Sequence, residues 1–288
     1  MYPILFTIPE WVPLLGGTPI TSFGVMMLAA FLVAAKVHRS EMRRVGEDPE
    51  KSWDLLFSAV IGGILGAKVY YLLLNWDRTL ADPVGMIFAR GGLVWYGGLL
   101  LAAALVTLKI RRLGLNFRQQ ADMVAPALAI SYAVGRVGCF LVGDDYGRPT
   151  GGPLGVQFPD GAPPSTVENL ERQFGVAVDP ELVERFGNVV PVHPTQLYEV
   201  AMSTGIFLIL WSLRKRPHAA GWLFGLWLVL AGVERLVVEF FRAKDDRFFG
   251  VFTLAQMISM ALIVTGVVIV VRLSAPGPQD STPAPAEG

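Results

Sequence analysis

Ionisable side chains inside apolar segments are the residues of this sequence that could do chemistry. The stretch GRVGCFLVGDDYG places Arg136 within an apolar run and closes that run with Asp144 and Asp145. Arg136 lies eight residues before Asp144, about two helical turns, which is too deep for its side chain to reach polar surroundings comfortably. Because a charge at the centre of a membrane helix costs about 2.5–3.5 kcal/mol on insertion scales, such charges usually serve a function.

Further polar candidates accompany other apolar segments. In ERLVVEFFR, Arg235 and Glu239 share one helical face at i,i+4 spacing. Lys68 lies nearer the middle of its segment, so an ion pair and a place in a ligand pathway are both open. Gly98 and Gly147 would let a backbone approach a helix or a ligand closely. The other polar candidates, most of them from VHPTQLYE, are His193, Gln196, Tyr198, Glu199, Glu234 and Arg242.

Membrane helices are the elements that must position these side chains. The 288 residues are 53% hydrophobic and only 17% charged, with a mean hydropathy of +0.49, whereas soluble domains carry about a quarter charged residues. Crossing the hydrocarbon layer takes about 20 apolar residues. We therefore predict an all-α polytopic membrane protein with about seven transmembrane helices. The apolar segments are roughly Ile20–Val37, Trp53–Leu74, Leu93–Ile110, Met123–Val142, Thr195–Leu213, Gly221–Phe241 and Val251–Val271.

Basic residues in the connections predict the orientation. They concentrate in the first, third and fifth loops, which the positive-inside rule places in the cytoplasm. We expect a transmembrane domain over residues 1–273, whose connection at about 144–192 forms a small periplasmic head. Residues 274–288 are rich in Pro, Ala and Gly, which predicts a disordered cytoplasmic tail. The first residues lack a basic region and a cleavage site, so we interpret them as mature protein.

Two or more arginines at similar depth suit a phosphate above other ligands. A guanidinium group binds phosphate oxygens bidentately and stays charged in a poor dielectric. A phosphate at that depth on a molecule that lipid tolerates is a phospholipid head group, so the residues predict a phospholipid-handling enzyme open to the outer leaflet. Cys139 is the single cysteine and no Cys/His spacing is typical of zinc sites. We expect no internal disulfide, metal, cofactor or nucleic-acid partner.

Several blocks together resemble one known family. DMVAPALAISYAVGRVGCFLVGDDYG resembles the signature segment of prolipoprotein diacylglyceryl transferases. GAKVYY, RGGLVWYGG, HPTQLYE, RLVVEFFR and FTLAQMISM follow the family's order, from about Ile20 to Val271. The resemblance implies a bacterial inner-membrane enzyme that transfers the sn-1,2-diacylglyceryl group of phosphatidylglycerol to the lipobox cysteine thiol of a prolipoprotein. The implied products are a thioether-linked lipid and glycerol 1-phosphate.

The resemblance also implies roles for single residues. Arg136 matches the signature arginine and would contact the phosphatidylglycerol head group. Arg235 would be a second phosphate clamp, held by Glu239, and Gly147 ends the signature. The leaving group is a phosphate ester, so cations must neutralise the charge that develops on it. The nucleophile is a thiol with an ordinary pKa of about 8.5, so a base must help to form the thiolate.

The base is the least determined part of the predicted site. Tyr96 stands where a well-known form of the family has histidine, which would be the obvious base. A phenol has an ordinary pKa of about 10, so Tyr96 could serve only if Arg136 and Arg235 favour its phenolate. The alternatives are Asp144, Glu199 and His193. The other departures from that form are Phe23 for tyrosine, Cys139 for asparagine and Asp144 for glutamate.

Two other classes of function remain open from the residues. A relative that binds phospholipid without catalysis is favoured by the departures at Tyr96, Cys139 and Phe23. The second class is a transporter with a charged path. A transporter would be expected to show internal repeats, which this sequence lacks, and the charges of this sequence cluster toward one side of the membrane, which also disfavours that class.

Overall fold

The computed structural model describes residues 2–13, 16–89, 92–243, 247–248 and 252–274. The predicted tail therefore lies outside the described residues, except for its first residue, Ser274. Within the described ranges the chain is mostly helical. The long helices are α1 (Ser22–Arg44), α2 (Lys51–Leu74), α5 (Trp95–Arg112), α6 (Phe117–Val142), α9 (Thr195–Leu213), α10 (Trp222–Glu239) and α11 (Leu254–Ser274).

Short elements connect these helices. The short helices are α3 (Trp76–Ala81), α4 (Pro83–Phe88), α7 (Val167–Arg172) and α8 (Pro180–Phe186). Strands β1 (Ile4–Thr7) and β2 (Pro19–Thr21) form an antiparallel hairpin, and β3 (Arg247–Phe248) pairs with β4 (Phe252–Thr253). The sequence pattern did not predict these strands, because each is only two to four residues long.

Five of the long helices are long and apolar enough to cross a membrane: α1, α2, α6, α9 and α11. The prediction of a helical polytopic membrane protein is therefore confirmed. Helices α5 and α10 have 18 residues each and carry three charged side chains apiece. In α5 these are basic and gather in the last turn, whereas in α10 they are Glu234, Arg235 and Glu239.

Capping residues set helix boundaries that hydropathy did not predict. The first apolar segment was placed from Ile20 to Val37, but Ile20 lies in β2 and α1 continues to Arg44. The Thr21 hydroxyl caps α1 by accepting the Gly24 N–H at 3.1 Å. Similarly, α6 begins before the predicted Met123 because the Asn116 side chain accepts the Gln119 N–H at 3.2 Å.

The predicted tail begins at Ser274, which is its one described residue. Ser274 is the last residue of α11, and its hydroxyl accepts the indole N–H of Trp222 at 2.8 Å. This hydrogen bond ties the end of α11 to the first turn of α10.

Helix pairing defines the bundle. Helix α2 packs along α5, α1 packs along α6, α6 packs against α9, and α10 packs against α11. The α2–α5 contact is close because Gly98 meets the backbone of α2: a Cβ added there would lie 2.8 Å from the Gly63 carbonyl oxygen. One buried apolar cluster joins α1, α2, α5 and α6 near their connecting loops, and it contains Met42, Leu55, Ile110, Leu115 and Met123.

The bundle has two chemically different ends. We call the end formed by the C-terminus of α6 and the N-terminus of α9 the site end. At the opposite end, the Asp122 carboxylate accepts the backbone N–H groups of Gly221 at 2.7 Å and Phe224 at 2.8 Å. Asp122 thereby satisfies amides of the first turn of α10 that would otherwise lack partners.

The connection between α6 and α9 carries its own small core. Its buried residues are Tyr146, Phe158, Leu170, Val178, Val190 and Val192, joined by Ala243 from the segment after α10. The Tyr146 ring stacks on Phe158 with centroids 5.4 Å apart, and its hydroxyl donates to the Pro163 carbonyl at 3.0 Å. Burial raises the pKa of Tyr146 to about 12, so the hydroxyl remains a neutral donor.

Candidate active site

The guanidinium group of Arg136 is the centre of the site. Its Nε lies 2.7 Å from Glu199 Oε2, and its Nη2 donates to Glu199 Oε1 at 2.9 Å. Tyr132 precedes Arg136 by one helical turn, so both face α9. The Tyr132 hydroxyl donates to Glu199 Oε1 at 2.7 Å and accepts from Arg136 Nε at 3.1 Å. Two side chains, Tyr132 from α6 and Glu199 from α9, thus hold the guanidinium plane in one orientation.

Burial makes this ion pair costly to break. Glu199 is fully buried, and the Arg136 side chain is 11% exposed. A buried pair is tolerated when its remaining hydrogen-bonding capacity is used, and removing one partner leaves an uncompensated charge. Glu199 Oε1 accepts hydrogen bonds from Tyr132 and Arg136, whereas the buried Oε2 lies beside Arg136 Nε but has no hydrogen-bond donor in the part of the chain that the structure describes. Arg136 is therefore preorganised, with its Nη1 edge directed away from Glu199.

Asp145 connects Arg136 to a second arginine. Its Oδ2 lies 2.9 Å from Arg136 Nη1, and its Oδ1 lies 2.8 Å from Arg242 Nη2. Burial alone would raise the pKa of Asp145, but the Arg242 and Arg136 guanidinium groups outweigh it and hold the pKa below its ordinary value. Asp145 is consequently a carboxylate at neutral pH.

Backbone pairing brings Arg242 to this place. Helix α6 ends at Gly143 in the left-handed conformation, with φ 73°. The following residues run between two other segments, because the Gly147 N–H donates to the His193 carbonyl at 2.8 Å and Gly147 also bridges to Arg242. A Cβ on Gly147 would collide with the Phe241 carbonyl and lie 2.8 Å from His193 Cβ. Only glycine therefore allows these three segments to approach so closely.

The first turn of α9 holds the two aspartates from the other side. The Thr195 hydroxyl donates to the Asp145 carbonyl at 2.7 Å, and the fully buried Gln196 amide donates to the Asp144 carbonyl. The polar groups of VHPTQLYE thus position the loop after α6 as well as supplying Glu199 to Arg136.

His193 and Tyr198 form a neighbouring pair. The His193 Nδ1 and the Tyr198 hydroxyl are 3.0 Å apart, and the Phe241 ring packs edge-on against the imidazole. Burial lowers the pKa of His193, so the imidazole is neutral at pH 7. This pair supports the backbone around Gly147, and in the described ranges neither ring is hydrogen-bonded to Arg136.

Asp144 has a different environment from Asp145. Its Oδ1 is buried and lacks a hydrogen-bond partner among the described residues. Burial, followed by the charge of Asp145, raises the pKa of Asp144. Cys139 lies between this carboxyl group and Arg136, whose Nη1 donates to the thiol sulfur at 3.5 Å. Cys139, Asp144 and Asp145 could offer a metal three ligand atoms within 4.8 Å of one another, but two arginines oppose a cation there.

Arg235 and Glu239 form a separate pair on α10. Arg235 Nη2 lies 2.7 Å from Glu239 Oε2, as the i,i+4 spacing predicted. Arg235 Nη1 is buried without a hydrogen-bond partner in the part of the chain that the structure describes, so it could donate to a ligand anion. Neighbouring Glu234 accepts the Ser203 hydroxyl at 2.6 Å. Among the described contacts, none joins Arg235 directly to Arg136.

Three predicted site residues lie on the α2–α5 pair. Tyr96 begins α5, is 41% exposed and packs edge-on against Trp95. Lys68 Nζ donates to the Ala89 carbonyl at 2.9 Å, and Gly98 lies in the helix–helix contact described above. Within the described ranges no hydrogen bond joins Tyr96 to either arginine, so the described contacts do not include the expected support for its phenolate.

Sequence reasoning missed some residues of the site. Tyr132 was not considered, although its position four residues before Arg136 was a usable signal. Thr195 was missed too, because a threonine at a helix start is usually only a cap. Asp145 was singled out together with Asp144 at the end of the apolar run, but a role at the site was assigned only to Asp144, as a candidate base.

Comparison with known proteins decides the family. The sequence model described as prolipoprotein diacylglyceryl transferase matches residues 9–272 of the 288. The chain belongs to the prolipoprotein diacylglyceryl transferase family. The resemblance noted in the sequence is thereby confirmed over nearly the whole chain.

Individual relatives of similar sequence are named after the same activity. A protein of Xanthomonas euvesicatoria pv. vesicatoria (strain 85-10), named phosphatidylglycerol–prolipoprotein diacylglyceryl transferase, is 33% identical over 283 residues. Proteins of the same name from Xanthomonas axonopodis pv. citri (strain 306) and Xanthomonas campestris pv. campestris (strain B100) are 32% and 33% identical. Each match covers 94% of this chain and 94% of the relative. The similarity therefore includes every element that builds the site.

Proposed function

We propose that this protein is a phosphatidylglycerol–prolipoprotein diacylglyceryl transferase. The observation that carries the proposal is the Arg136 guanidinium, fixed by buried Glu199 and facing Arg242 across Asp145. Two guanidinium groups that share one anion suit a phosphodiester, which presents two unesterified oxygens that share one negative charge. The names of the relatives support phosphatidylglycerol and a prolipoprotein as the substrates. We propose the lipobox cysteine of the prolipoprotein as the acceptor.

The proposed reaction is a displacement at carbon. The thiolate sulfur of the lipobox cysteine attacks the sn-3 carbon of the diacylglyceryl group and forms the C–S bond. The electron pair of the C–O bond leaves with the phosphate, which departs as glycerol 1-phosphate. The thiol proton passes to a base. Negative charge grows on the leaving phosphate, so a preorganised cation such as Arg136 stabilises the transition state more than the ground state.

Each arginine has a distinct proposed role. Arg136 and Arg242 bind the phosphate from α6 and from the segment after α10. Arg235, held by Glu239, offers its unpartnered Nη1 as a further donor to the head group. Gly147 keeps Arg242 in place. The remaining substrate-site candidates, proposed to line the approach of the two substrates, are Lys68, Gly98, His193, Gln196 and Tyr198.

Asp144 is our proposed proton acceptor, with Tyr96 as the alternative. Two observations support this role for Asp144. Its buried Oδ1 lacks a hydrogen-bond partner among the described residues, and burial and Asp145 raise its pKa toward the working pH. Glu199 is less suited because both its oxygens lie against the Arg136 guanidinium, at 2.7 and 2.9 Å, and Tyr132 also donates to Oε1. Tyr96 is supported by its position in the RGGLVWYGG block, where it stands in place of the histidine of a well-known form of the family.

We propose that all seven long helices cross the bacterial inner membrane, as one transmembrane domain that ends at Ser274 with a cytoplasmic tail after it. The site end then faces the periplasm and residues 144–192 form a periplasmic head. Basic residues gather at the opposite end of the bundle, which supports this orientation by the positive-inside rule. They lie in the last turns of α1 and α5 and in the loop that follows α9, and they include Arg43, Arg44, Arg111, Arg112, Arg214 and Lys215.

Product analysis tests the proposed activity. Purified protein, phosphatidylglycerol and a lipobox peptide should give a peptide whose mass increases by the diacylglyceryl group, together with glycerol 1-phosphate. A peptide whose cysteine is replaced by serine should not react. Phosphatidylglycerol binding without either product would instead identify a catalytically inactive relative.

A further inference from the structure

The backbone of Asp145 adopts a conformation that most side chains avoid. Its φ is 55°, and among the described residues it is the one non-glycine with a positive φ. Aspartate tolerates this left-handed region better than most residues. The Thr195 hydroxyl bonds to its carbonyl at 2.7 Å and so holds the peptide in place. The local fold therefore fixes the backbone from which the Asp145 side chain projects, and the side chain itself can still rotate.

The Asp145 carboxylate has the geometry of a bound phosphate. It gives one oxygen to Arg136 Nη1 at 2.9 Å and the other to Arg242 Nη2 at 2.8 Å. The two unesterified oxygens of a phosphodiester would make the same two contacts. Because both anions need the same guanidinium edges, the carboxylate and a phosphate cannot occupy them together.

The two carboxylate partners of Arg136 differ in how easily they can leave. The Glu199 side chain is 1% exposed and makes two contacts to the guanidinium. The Asp145 side chain is 43% exposed and makes one contact to Arg136. Water can solvate Asp145 when it moves away, whereas Glu199 would become a buried, unpaired charge. A phosphate entering the site thus displaces Asp145 and leaves Glu199 in place.

The charges at the site explain how this exchange would help to release the product. Arg136 and Arg242 carry two positive charges, and Glu199 and Asp145 carry two negative charges. A phosphodiester is a monoanion, but the product of the proposed reaction is a phosphate monoester, which carries up to one charge more. Two free arginines would retain that product strongly. An internal anion that competes for the same contacts weakens retention.

We propose that Asp145 is a displaceable internal anion that occupies the phosphate position of the empty site, yields to the phospholipid phosphate, and returns to release the phosphate product. The proposal rests on the proposed function and adds a residue that sets phosphate affinity. It makes an unusual prediction, because removing a site carboxylate should strengthen ligand binding.

The test compares Asp145→Asn with the wild-type full-length protein in detergent. Glycerol 1-phosphate is the probe, measured by isothermal titration calorimetry and as an inhibitor of transfer. We expect its Kd and Ki to fall about tenfold, the KM for phosphatidylglycerol to fall, and kcat to fall as product release becomes limiting. Asp145→Gly, which suits the positive φ, should bind the probe as tightly as Asp145→Asn. The exposed Asp160→Asn is the matched control and should change neither constant.

Unchanged or weaker probe binding in both Asp145 variants would overturn the proposal, as would absence of binding in all proteins. A general loss of structure weakens binding, so tighter binding cannot arise from it. The binding arm does not depend on turnover. A wild-type protein that binds the probe but yields no thioether product would contradict the proposed function while the Asp145 comparison still gives its answer.

Discussion

Arg136 on α6 and Glu199 on α9 form a two-contact ion pair, with Nε 2.7 Å from Oε2 and Nη2 2.9 Å from Oε1. The pair is buried, and it leaves the Nη1 edge of the guanidinium for Asp145 or a substrate. A cation that is already oriented in this way needs little reorganisation when charge develops on a leaving phosphate.

Removing the charge of Glu199 should therefore affect stability and turnover together. Glu199→Gln leaves Arg136 without its buried counter-ion, and we expect the free energy of unfolding to fall by about 3 kcal/mol. Transfer should also be lost. Thermal unfolding in detergent measures the first effect. Glu168→Gln breaks an exposed pair on α7, whose side chains are 78% and 66% exposed, and should cost less than about 0.5 kcal/mol. Equal effects of the two substitutions would contradict the assigned role.

Replacing Arg136 by lysine should show whether transfer needs the planar guanidinium group or only a positive charge. Lysine keeps the positive charge but loses the planar fork that binds Glu199 and a phosphate at once. We expect transfer to fall by at least about 100-fold with normal membrane insertion. Arg172→Lys, at an exposed position of α7, is the control and should retain activity. Near-wild-type turnover of Arg136→Lys would show that this arginine is only a structural cation.

The pH dependence of transfer should identify the base. Asp144 faces Asp145, Cys139, Arg136 and Arg242, and burial together with Asp145 raises its pKa. A base acts when deprotonated, so kcat/KM should rise with pH through this raised pKa. Asp144→Asn should abolish the rise of kcat/KM with pH and most of the activity. Tyr96→Phe should retain both. Loss of transfer in Tyr96→Phe with an unchanged profile in Asp144→Asn would reassign the base to Tyr96.

Gly147→Ala should displace Arg242. The added methyl group would collide with the Phe241 carbonyl and lie 2.8 Å from His193 Cβ and 2.9 Å from Thr195 Cγ2. Such overpacking costs about 1–3 kcal/mol, and we expect weaker phosphatidylglycerol binding and lower transfer. In Gly205→Ala, where nothing lies within 4 Å of the new methyl group, stability should be maintained. An active, stable Gly147→Ala protein would remove this glycine from the site.

Reporter fusions should establish the orientation. A fluorescent protein fused to the C-terminus should fluoresce, which reports a cytoplasmic tail. Alkaline phosphatase inserted between Gly151 and Val190 should be active, which reports a periplasmic head. The opposite result at both positions would place the site on the other leaflet and contradict the proposed approach of the substrates.

The class of fold and the location of the principal charge follow from the sequence. Long apolar segments predict membrane helices because backbone N–H and C=O groups in hydrocarbon must form hydrogen bonds with one another within each helix. The spacing between Arg136 and the aspartates places the arginine within a span, and i,i+4 spacing pairs Arg235 with Glu239. These features follow from local geometry, which any helix of this sequence must have.

Which of these residues contact one another depends on the tertiary structure. Glu199 is 63 positions from Arg136, and Arg242 is 97 positions from Asp145. Periodicity assigns a residue to a helix face, but which helix that face meets depends on the packing of the whole bundle. Asp144 and Asp145 are chemically identical in sequence. The left-handed turn after α6 turns one toward a buried position and the other toward two arginines, because the backbone, and not the residue type, directs each side chain.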